Sequence, residues 1–536
     1  MATPRVPRQI EVERKLDAPA GFVLPDLADL PGVASVGDPV VQSLDATYFD
    51  TDDLRLIGAR ITLRRRTGGT DAGWHLKRPA GGDARTEEHH GLGRATRTVP
   101  PALRAAVEVH ARGARIGPVV RLRTTRTVRR LLDGDGAPLA EVAVDVVAAS
   151  VPSANGRWTN LTSWDELEVE LLGGKPRLLD KVVMRLGEAG ACPSTSRSKL
   201  ARALAEAGRL AEHVGSGSGS DSGSDSGSGS GSGAGSGSAR PGAGTAAAAV
   251  LAYLTAQVAH LQDQDPLVRA DEHDAVHQMR VACRRLRSAL ATYRPLFDRE
   301  ASEAVRADLQ WLGEALGAAR DAEVVRDHLR GLAEAEPPEL LLGPVVRRIV
   351  ETMSSRYRAA HDEVLVDLAG PRYFAVLDRL DTFLAAPPLT DVAAGPAPDV
   401  LLPLVRRTFR RSRRLVDAAR ATADAGEHDL LLHEVRKAAK RARYAGESLS
   451  AAFGKDAKAF AQQMARVQEV LGEHQDSVVI REYLLELALA AAADGENAFS
   501  YGRLHALEQQ RGLTTERDFD AVWAAASDPA WRGWLG

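Results

Sequence analysis

Glu11-Val12-Glu13-Arg14-Lys15 is the stretch on which the reading of this chain turns. Taken as a strand, it sets Glu11, Glu13 and Lys15 on one face, because successive side chains alternate. Two carboxylates and an ammonium make poor core. They make a good start for a site that holds a divalent cation beside a phosphate chain: oxygen donors suit Mg²⁺ or Mn²⁺, and lysine suits phosphate as a point charge. The same pentamer also fits the solvated side of an edge strand. What separates the two readings is how much of the following chain repeats the alternation.

The wider chain sets bounds. At 536 residues it is too long for one core and suggests two or three domains. Its net charge of −3 conceals 69 basic and 72 acidic residues, so charge placement matters more than the total. Cys192 and Cys283 form no spacing motif and fall in separate halves, which predicts free thiols and a reducing compartment. No apolar run approaches the roughly 20 residues that span a bilayer, so no membrane partner is expected. Met1 to Arg8, read as an N-terminal tail, has no apolar core of a signal peptide. The expected location is the cytoplasm, and the heavy use of Ala, Arg, Gly and Val hints at a GC-rich bacterial genome.

Residues 215–244 are almost pure Gly and Ser and read as a flexible linker. They divide the chain into a domain over 9–210 and another over 246–536. The first half reads as short alternating strands bounded by Gly, Pro or Asp: Ile10–Leu16, Asp45–Asp50, Ala59–Thr67, Gly73–Arg78, Thr86–His90, Val119–Leu131, Leu139–Ala148 and Ser163–Leu172. Helices fit Pro101–Arg112, Pro176–Ala189 and Lys199–Glu212. The second half has helical spacing throughout and predicts eight to ten helices.

In the first half the charged alternation recurs. Arg64 and Arg66 share a strand face, as do Arg85 and Glu87; Lys77, Arg126 and Asp145 sit in similar strands. Glu166-Leu167-Glu168-Val169-Glu170 sets three carboxylates on one face and apolar residues on the other. A closed sheet with a polar lumen would let acids hold metal on one side while Arg and Lys hold phosphates around the rest. Like charges that close call for a highly charged ligand.

The ordered set of Glu11-Val12-Glu13-Arg14-Lys15, Tyr48-Phe49-Asp50-Thr51, Leu63-Arg64-Arg65-Arg66, Trp74-His75-Leu76-Lys77, Arg85-Thr86-Glu87 and Glu166–Glu170 resembles the CYTH family, the triphosphate tunnel metalloenzymes, from about Gln9 to Leu204. The resemblance implies an eight-stranded antiparallel β tunnel with helices, an α+β domain, and Mg²⁺- or Mn²⁺-dependent action on triphosphates. It implies metal-binding carboxylates at Glu11, Glu13, Glu168 and Glu170, with Asp145 and Glu166 as further tunnel acids. It implies phosphate-binding positions at Lys15, Arg64, Arg66, Lys77, Arg85 and Arg126, and a basic residue closing the tunnel at Lys199. Glu13, Glu168 and Glu170 are the carboxylates from which the residue that orients the attacking water would come.

The second half repeats itself. His277-Gln278-Met279-Arg280 and His433-Glu434-Val435-Arg436 open matching segments 156 residues apart (433 − 277). Arg284, Arg285 and Arg287 then meet Lys440, Arg441 and Arg443, and Leu316-Gly317 with Asp321 meets Leu471-Gly472 with Asp476. This is an internal duplication of a helical unit. His277, Arg280, Arg284 and Arg287 fall in one helical stripe beside an apolar one, and the second copy presents His433, Arg436, Lys440 and Arg443. Two such rows suit a linear polyanion, bound with strong salt dependence.

These residues resemble the CHAD domain, over about Ala246 to Trp534. The resemblance implies an all-α domain that binds inorganic polyphosphate and, in some bacteria, associates with polyphosphate granules. Its binding surface would comprise His277, Arg280, Arg284, Arg285, Arg287, His433, Arg436, Lys437, Lys440, Arg441 and Arg443.

The expectation for the whole chain is therefore a metal-dependent triphosphatase hydrolysing inorganic triphosphate, joined to a polyphosphate-binding domain. Thiamine triphosphatase, nucleoside triphosphatase or adenylate cyclase activity in the same fold, and a binding adaptor without turnover, are the alternatives. No nucleic-acid recognition motif or base-stacking platform is present, so no specific nucleic-acid partner is expected.

Overall fold

The computed structural model describes residues 13–19, 21–79, 85–93, 98–153, 155, 157–196, 198–209, 242 and 244–535. Two compact units result, Met1–Ser230 and Gly231–Gly536. Glu11 and nearly all of the Gly/Ser stretch 215–244 lie outside the described residues.

The first unit is an antiparallel sheet with helices. Its strands are β1 (Glu13–Ala18), β2 (Ser35–Val36), β3 (Val40–Asp50), β4 (Thr62–Thr67), β5 (Gly73–Pro79), β6 (Arg85–His90), β7 (Gly117–Leu132), β8 (Pro138–Pro152), β9 (Trp158–Leu171) and β10 (Cys192–Pro193). Its helices are α1 (Arg55–Gly58), α2 (Pro101–Ala111), α3 (Pro176–Glu188) and α4 (Lys199–Glu206). The strand order is β10-β1-β9-β8-β7-β3-β4-β5-β6, with β2 on β7. The eight longer strands correspond to the eight expected from alternation. β2 and β10 are two-residue edge pairings too short to leave a periodic signal. α4 ends at Glu206, short of the expected Glu212.

Alternation explains why the sheet has helices outside and charge inside. Leu16, Val142, Leu167 and Val169 pack against Leu178, Leu179, Val182 and Leu186 of α3. Leu63, Trp74 and Leu76 pack against Leu103 and Val107 of α2. The opposite face carries the acids and bases. The strand ladder is an open path, with no pairing of β6 to β1 among the described residues, so the expected tunnel forms by curling. That curl brings Lys15 of β1, Arg64 of β4 and Lys199 of α4 into electrostatic contact with Tyr48 of β3. Lower on the same inner face the residues turn apolar, and Leu200, Ala203 and Leu204 of α4 pack there against Tyr48, Leu122, Val147 and Trp164. α4 thus plugs one end, starting from Ser198, whose Oγ accepts from the Ala201 N–H at 3.1 Å.

The second unit is helical: α5 (Ala246–Arg269), α6 (Ala275–Thr292), α7 (Arg299–Ala315), α8 (Gly317–Glu334), α9 (Val345–Leu368), α10 (Pro371–Ala385), α11 (Ala397–Ala421), α12 (Ala425–Ala493) and α13 (Phe499–Ala526). α12 is two helices joined at Gly454, whose φ of 65° suits glycine. The duplication is visible in this order. α5 and α6 correspond to α11 and the first part of α12, α7 and α8 to the rest of α12, and α9 to α13. The terminal hairpins of the two copies share a core of Leu329, Ile349 and Met353 with Ile480, Leu484 and Leu504.

Candidate active site and anion-binding surface

The strand register assembles the first site. Glu13 stands opposite Glu170, Lys15 opposite Glu168 and Asp17 opposite Glu166. β8 continues these rows, with Glu141 opposite Glu170 and Asp145 opposite Glu166, and β7 places Arg126 opposite Asp145. Directly opposed like charges destabilise a sheet unless a counter-charge lies between them. The protein supplies one. Lys199 Nζ lies 2.9 Å from Asp145 Oδ2, 2.5 Å from Glu166 Oε1 and 2.7 Å from Glu168 Oε1. Arg126 donates to both Asp145 oxygens at 2.8 and 2.6 Å and also to Glu168. Trp164 Nε1–H donates to Glu166 Oε2 at 2.6 Å.

Electrostatics follow from this crowding. Burial alone would raise the Glu168 carboxyl, but Lys199, Lys15 and Arg126 hold it well below the usual carboxylate range. Burial opposes the charge on Lys199, yet Glu168, Asp145 and Glu166 raise its pKa above the ordinary lysine value. Asp145, Glu166 and Glu168 each offer an oxygen within 4.8 Å of the others. Three carboxylates at that spacing form a donor set for a hard divalent cation.

A basic wall lies across the inner face. Arg64 stands opposite Tyr48 and His75, and Thr62 opposite Lys77. Arg64 donates to Tyr48 Oη at 3.4 Å. Glu87, on the strand face of Arg85, gathers this wall: His75 Nδ1 lies 2.9 Å from it, Lys77 Nζ 3.1 Å and Arg64 Nη2 3.7 Å. Arg66 pairs with Asp71. Burial, then the charges of Arg64 and Arg126, push Arg66 down to about 10, a sign of cations held close without enough counter-charge. Arg64 Nε and Arg66 Nε are buried without a hydrogen-bond partner among the described residues. Arg85 opens β6, but its side chain, like all of Glu11, lies outside the described residues. Arg126, expected on phosphate, stands beside Asp145 in the register and pairs with Asp145 and Glu168. Glu141 was missed as a site residue; its odd-numbered phase with Asp145 was the available signal.

The Tyr48-Phe49-Asp50-Thr51 motif has a structural role. Asp50 is buried and accepts from the N–H groups of Thr51, Leu56 and Ile57 at 2.7, 2.9 and 3.0 Å, which fixes the turn into α1.

In the second unit the two rows meet. Lys440 is pushed down to about 8 by burial and then by Arg284, Arg436, Arg280 and Arg443, two from each copy. The duplicated Gly and Asp positions lie beside the duplicated arginines. Arg280 Nη1 lies 2.7 Å from Asp321 and Arg436 Nη2 3.8 Å from Asp476. A Cβ on Gly472 would crowd the Arg436 guanidinium at 3.3 Å, while one on Gly317 would make an ordinary 3.6 Å contact with Arg280. His277 Nδ1 and His433 Nδ1 are both buried without a partner among the described residues.

Not every expected residue joins this group. Arg285 turns to Glu447 at 3.2 Å, and Lys437 is exposed beside Glu434 at 2.9 Å. Each lies about 100° around its helix from the row. Arg441 belongs to an adjoining group: burial, then Arg411, Arg306 and Arg287, lower its pKa. Arg306 of α7 and Arg411 of α11 lie outside the duplicated His-x-x-Arg segments, so the repeat does not point to them.

Comparison with known proteins agrees with this division. Residues 9–203 match the CYTH domain and residues 252–485 the CHAD domain. Uncharacterized protein Rv2226 of Mycobacterium tuberculosis is 38% identical over 535 residues, covering 97% of this chain and 96% of that protein. Among solved structures, PptA from Streptomyces chartreusis is similar at 20% identity and a TM-score of 0.44, over 52% of this chain and 99% of that one. The CHAD domain from the plant Ricinus communis is similar at 27% identity and a TM-score of 0.42, over 53% and 91%.

Proposed function

This chain belongs to the proteins that join a CYTH domain to a CHAD domain, and from that premise we propose that its first unit is a divalent-metal-dependent triphosphatase hydrolysing inorganic triphosphate, while its second binds inorganic polyphosphate. The observation that carries the reading is the shared inner face. Asp145, Glu166 and Glu168 gather on one side, and Arg64 and Arg66, each with a buried Nε that no described residue meets, stand on the other.

The donor chemistry fits Mg²⁺ or Mn²⁺, since every candidate ligand is a carboxylate oxygen. Asp145, Glu166 and Glu168, here neutralised by Lys199 and Arg126, would hold the ion in place of those cations, and it would neutralise phosphate charge and polarise a phosphoryl oxygen. The chain's own residues do the rest. Arg64 and Arg66 present guanidinium forks to phosphate oxygens, and Lys15 and Lys77 act as point charges. Together they position the triphosphate and stabilise charge on the transferring group, where most catalysis of phosphoryl transfer lies. Glu168, held ionised by three cations, is a poor proton acceptor. Glu13 and Glu170, which face each other across β1 and β9 outside that donor set, are placed to orient the water.

In the second unit the convergence of both basic rows on Lys440 supports a linear polyanion as ligand. A polyphosphate-bound second unit would keep chain ends near the first through effective concentration. Phosphate release from tripolyphosphate, thiamine triphosphate and ATP, each with Mg²⁺, Mn²⁺ or EDTA, tests the enzyme. Release from tripolyphosphate above the other two is expected, and no release from any substrate with either metal would sink it.

A further inference from the structure

The two copies of the helical unit are not equally charged. α5 opens the first copy and carries Arg269 as its one arginine, with no lysine. α11 holds the matching place in the second and carries seven arginines: Arg406, Arg407, Arg410, Arg411, Arg413, Arg414 and Arg420. Packing does not require them. The helix buries Leu401, Val405, Phe409 and Val416 on its other side, and Arg407, Arg410, Arg411 and Arg414 are exposed. These four follow i, i+3, i+4, i+7 and form one face. Among the described residues, no carboxylate pairs with Arg407, Arg410 or Arg414, and Arg411 has only a 3.8 Å contact with Glu434. Like charges at i, i+4 on a helix are mildly destabilising. A face kept in this state, in one copy only, has a use other than folding.

Its position supplies the use. Arg411 at its edge acts electrostatically on Arg441 of α12, together with Arg306 and Arg287. Arg441 adjoins Lys440, on which the two basic rows converge, about 100° further around the helix. α11 meets α12 where Arg411 lies 3.8 Å from Glu434, next to His433 of the second row. The face of Arg407, Arg410 and Arg414 therefore borders the second basic row, with Glu434 at the join.

We infer that the arginine face of α11 is an extension site for a polyphosphate chain leaving the paired rows, so that long chains are gripped on one side of the domain only. The inference rests on the polyphosphate reading of the second unit. It makes the domain length-selective: a short chain fills the convergence point, and a long one also engages α11.

The test uses the full chain with polyphosphate of about 10 and about 100 phosphates, comparing wild type, the triple variant Arg407→Gln, Arg410→Gln, Arg414→Gln, and the double variant Arg280→Gln, Arg436→Gln. The triple variant should bind short chains as wild type does. It should lose roughly tenfold in affinity for long ones, with a log–log salt slope smaller by about two to three. The double variant should weaken on both lengths. If the triple variant binds both lengths as wild type does, the extension site is wrong and the paired rows stand. If it weakens equally on both lengths, α11 belongs to the central site and the length-selective extension is wrong. Should it keep its affinity for long polyphosphate but lose affinity for duplex DNA, the face serves a nucleic acid and the inference is overturned. If wild type binds neither length, the underlying reading fails and the inference falls with it.

Discussion

Lys15 on β1 and Glu168 on β9 are cross-strand partners, and their charged groups lie 3.5 Å apart. That pair joins the start of the first unit to its last long strand. It also places the acidic and basic halves of the site in contact: Glu168 receives Arg126 and Lys199 as well, and Lys15 reaches back to Glu13 at 3.2 Å. Removing Lys15 should therefore cost more than one phosphate contact. Lys15→Gln should lower kcat/KM on tripolyphosphate by more than the roughly 10- to 100-fold that one charge-assisted hydrogen bond is worth. Steady-state kinetics check this, and an unchanged kcat/KM would remove Lys15 from the site.

Asp50 tests the scaffold apart from the chemistry. Its carboxylate is the acceptor for three backbone N–H groups in a buried turn. Asp50→Ala would orphan all three and should destabilise the first unit by roughly 2–4 kcal/mol. Thermal denaturation should show a lowered transition for that unit. An unshifted melt would mean that the turn is held by other contacts.

Lys440 gives the second unit a pH dependence with a definite sign. Its folded pKa is depressed to about 8, below the ordinary lysine value, so the free protein loses this charge as pH rises through that point. A polyanion binds the protonated form better. Affinity for polyphosphate should fall roughly tenfold between pH 7 and pH 9 through Lys440 alone. Lys440→Arg, which stays charged, should flatten the profile. Equal slopes in the two proteins would assign the effect elsewhere.

Arg280 and Arg436 should contribute alike, since each sits over a glycine and faces an aspartate. Each single change to Gln should reduce the log–log salt slope of polyphosphate binding by about one. A change in only one of them would show that the duplication is structural and not functionally symmetric.

Much of this was legible in the chain. Alternation in Glu166–Glu170 and Leu63–Arg66 told which side chains share a face, and that face is polar inside the sheet because α2 and α3 cover the other. The repeated His-x-x-Arg segments located the helices whose rows converge. What alternation does not carry is register. Nothing local to Arg126 says that it stands opposite Asp145, so its pairing with the acids is not legible in the sequence. Nor does α4 announce that Lys199 will reach three carboxylates at once, since that follows from Leu200, Ala203 and Leu204 packing into the curl. Arg306 and Arg411 escaped for a related reason: they lie on helices outside the repeated motif and join the basic surface only through packing.

The central claim is that the carboxylate cluster and the basic wall form one metal-dependent triphosphatase site, and Glu168 is its hinge. Phosphate release from tripolyphosphate should be measured for wild type and Glu168→Gln, each with Mg²⁺, with Mn²⁺ and with EDTA. The account predicts release by wild type that EDTA abolishes and a loss of at least ~100-fold in Glu168→Gln with either metal. Release that survives EDTA, or a Glu168→Gln protein as active as wild type, would contradict it.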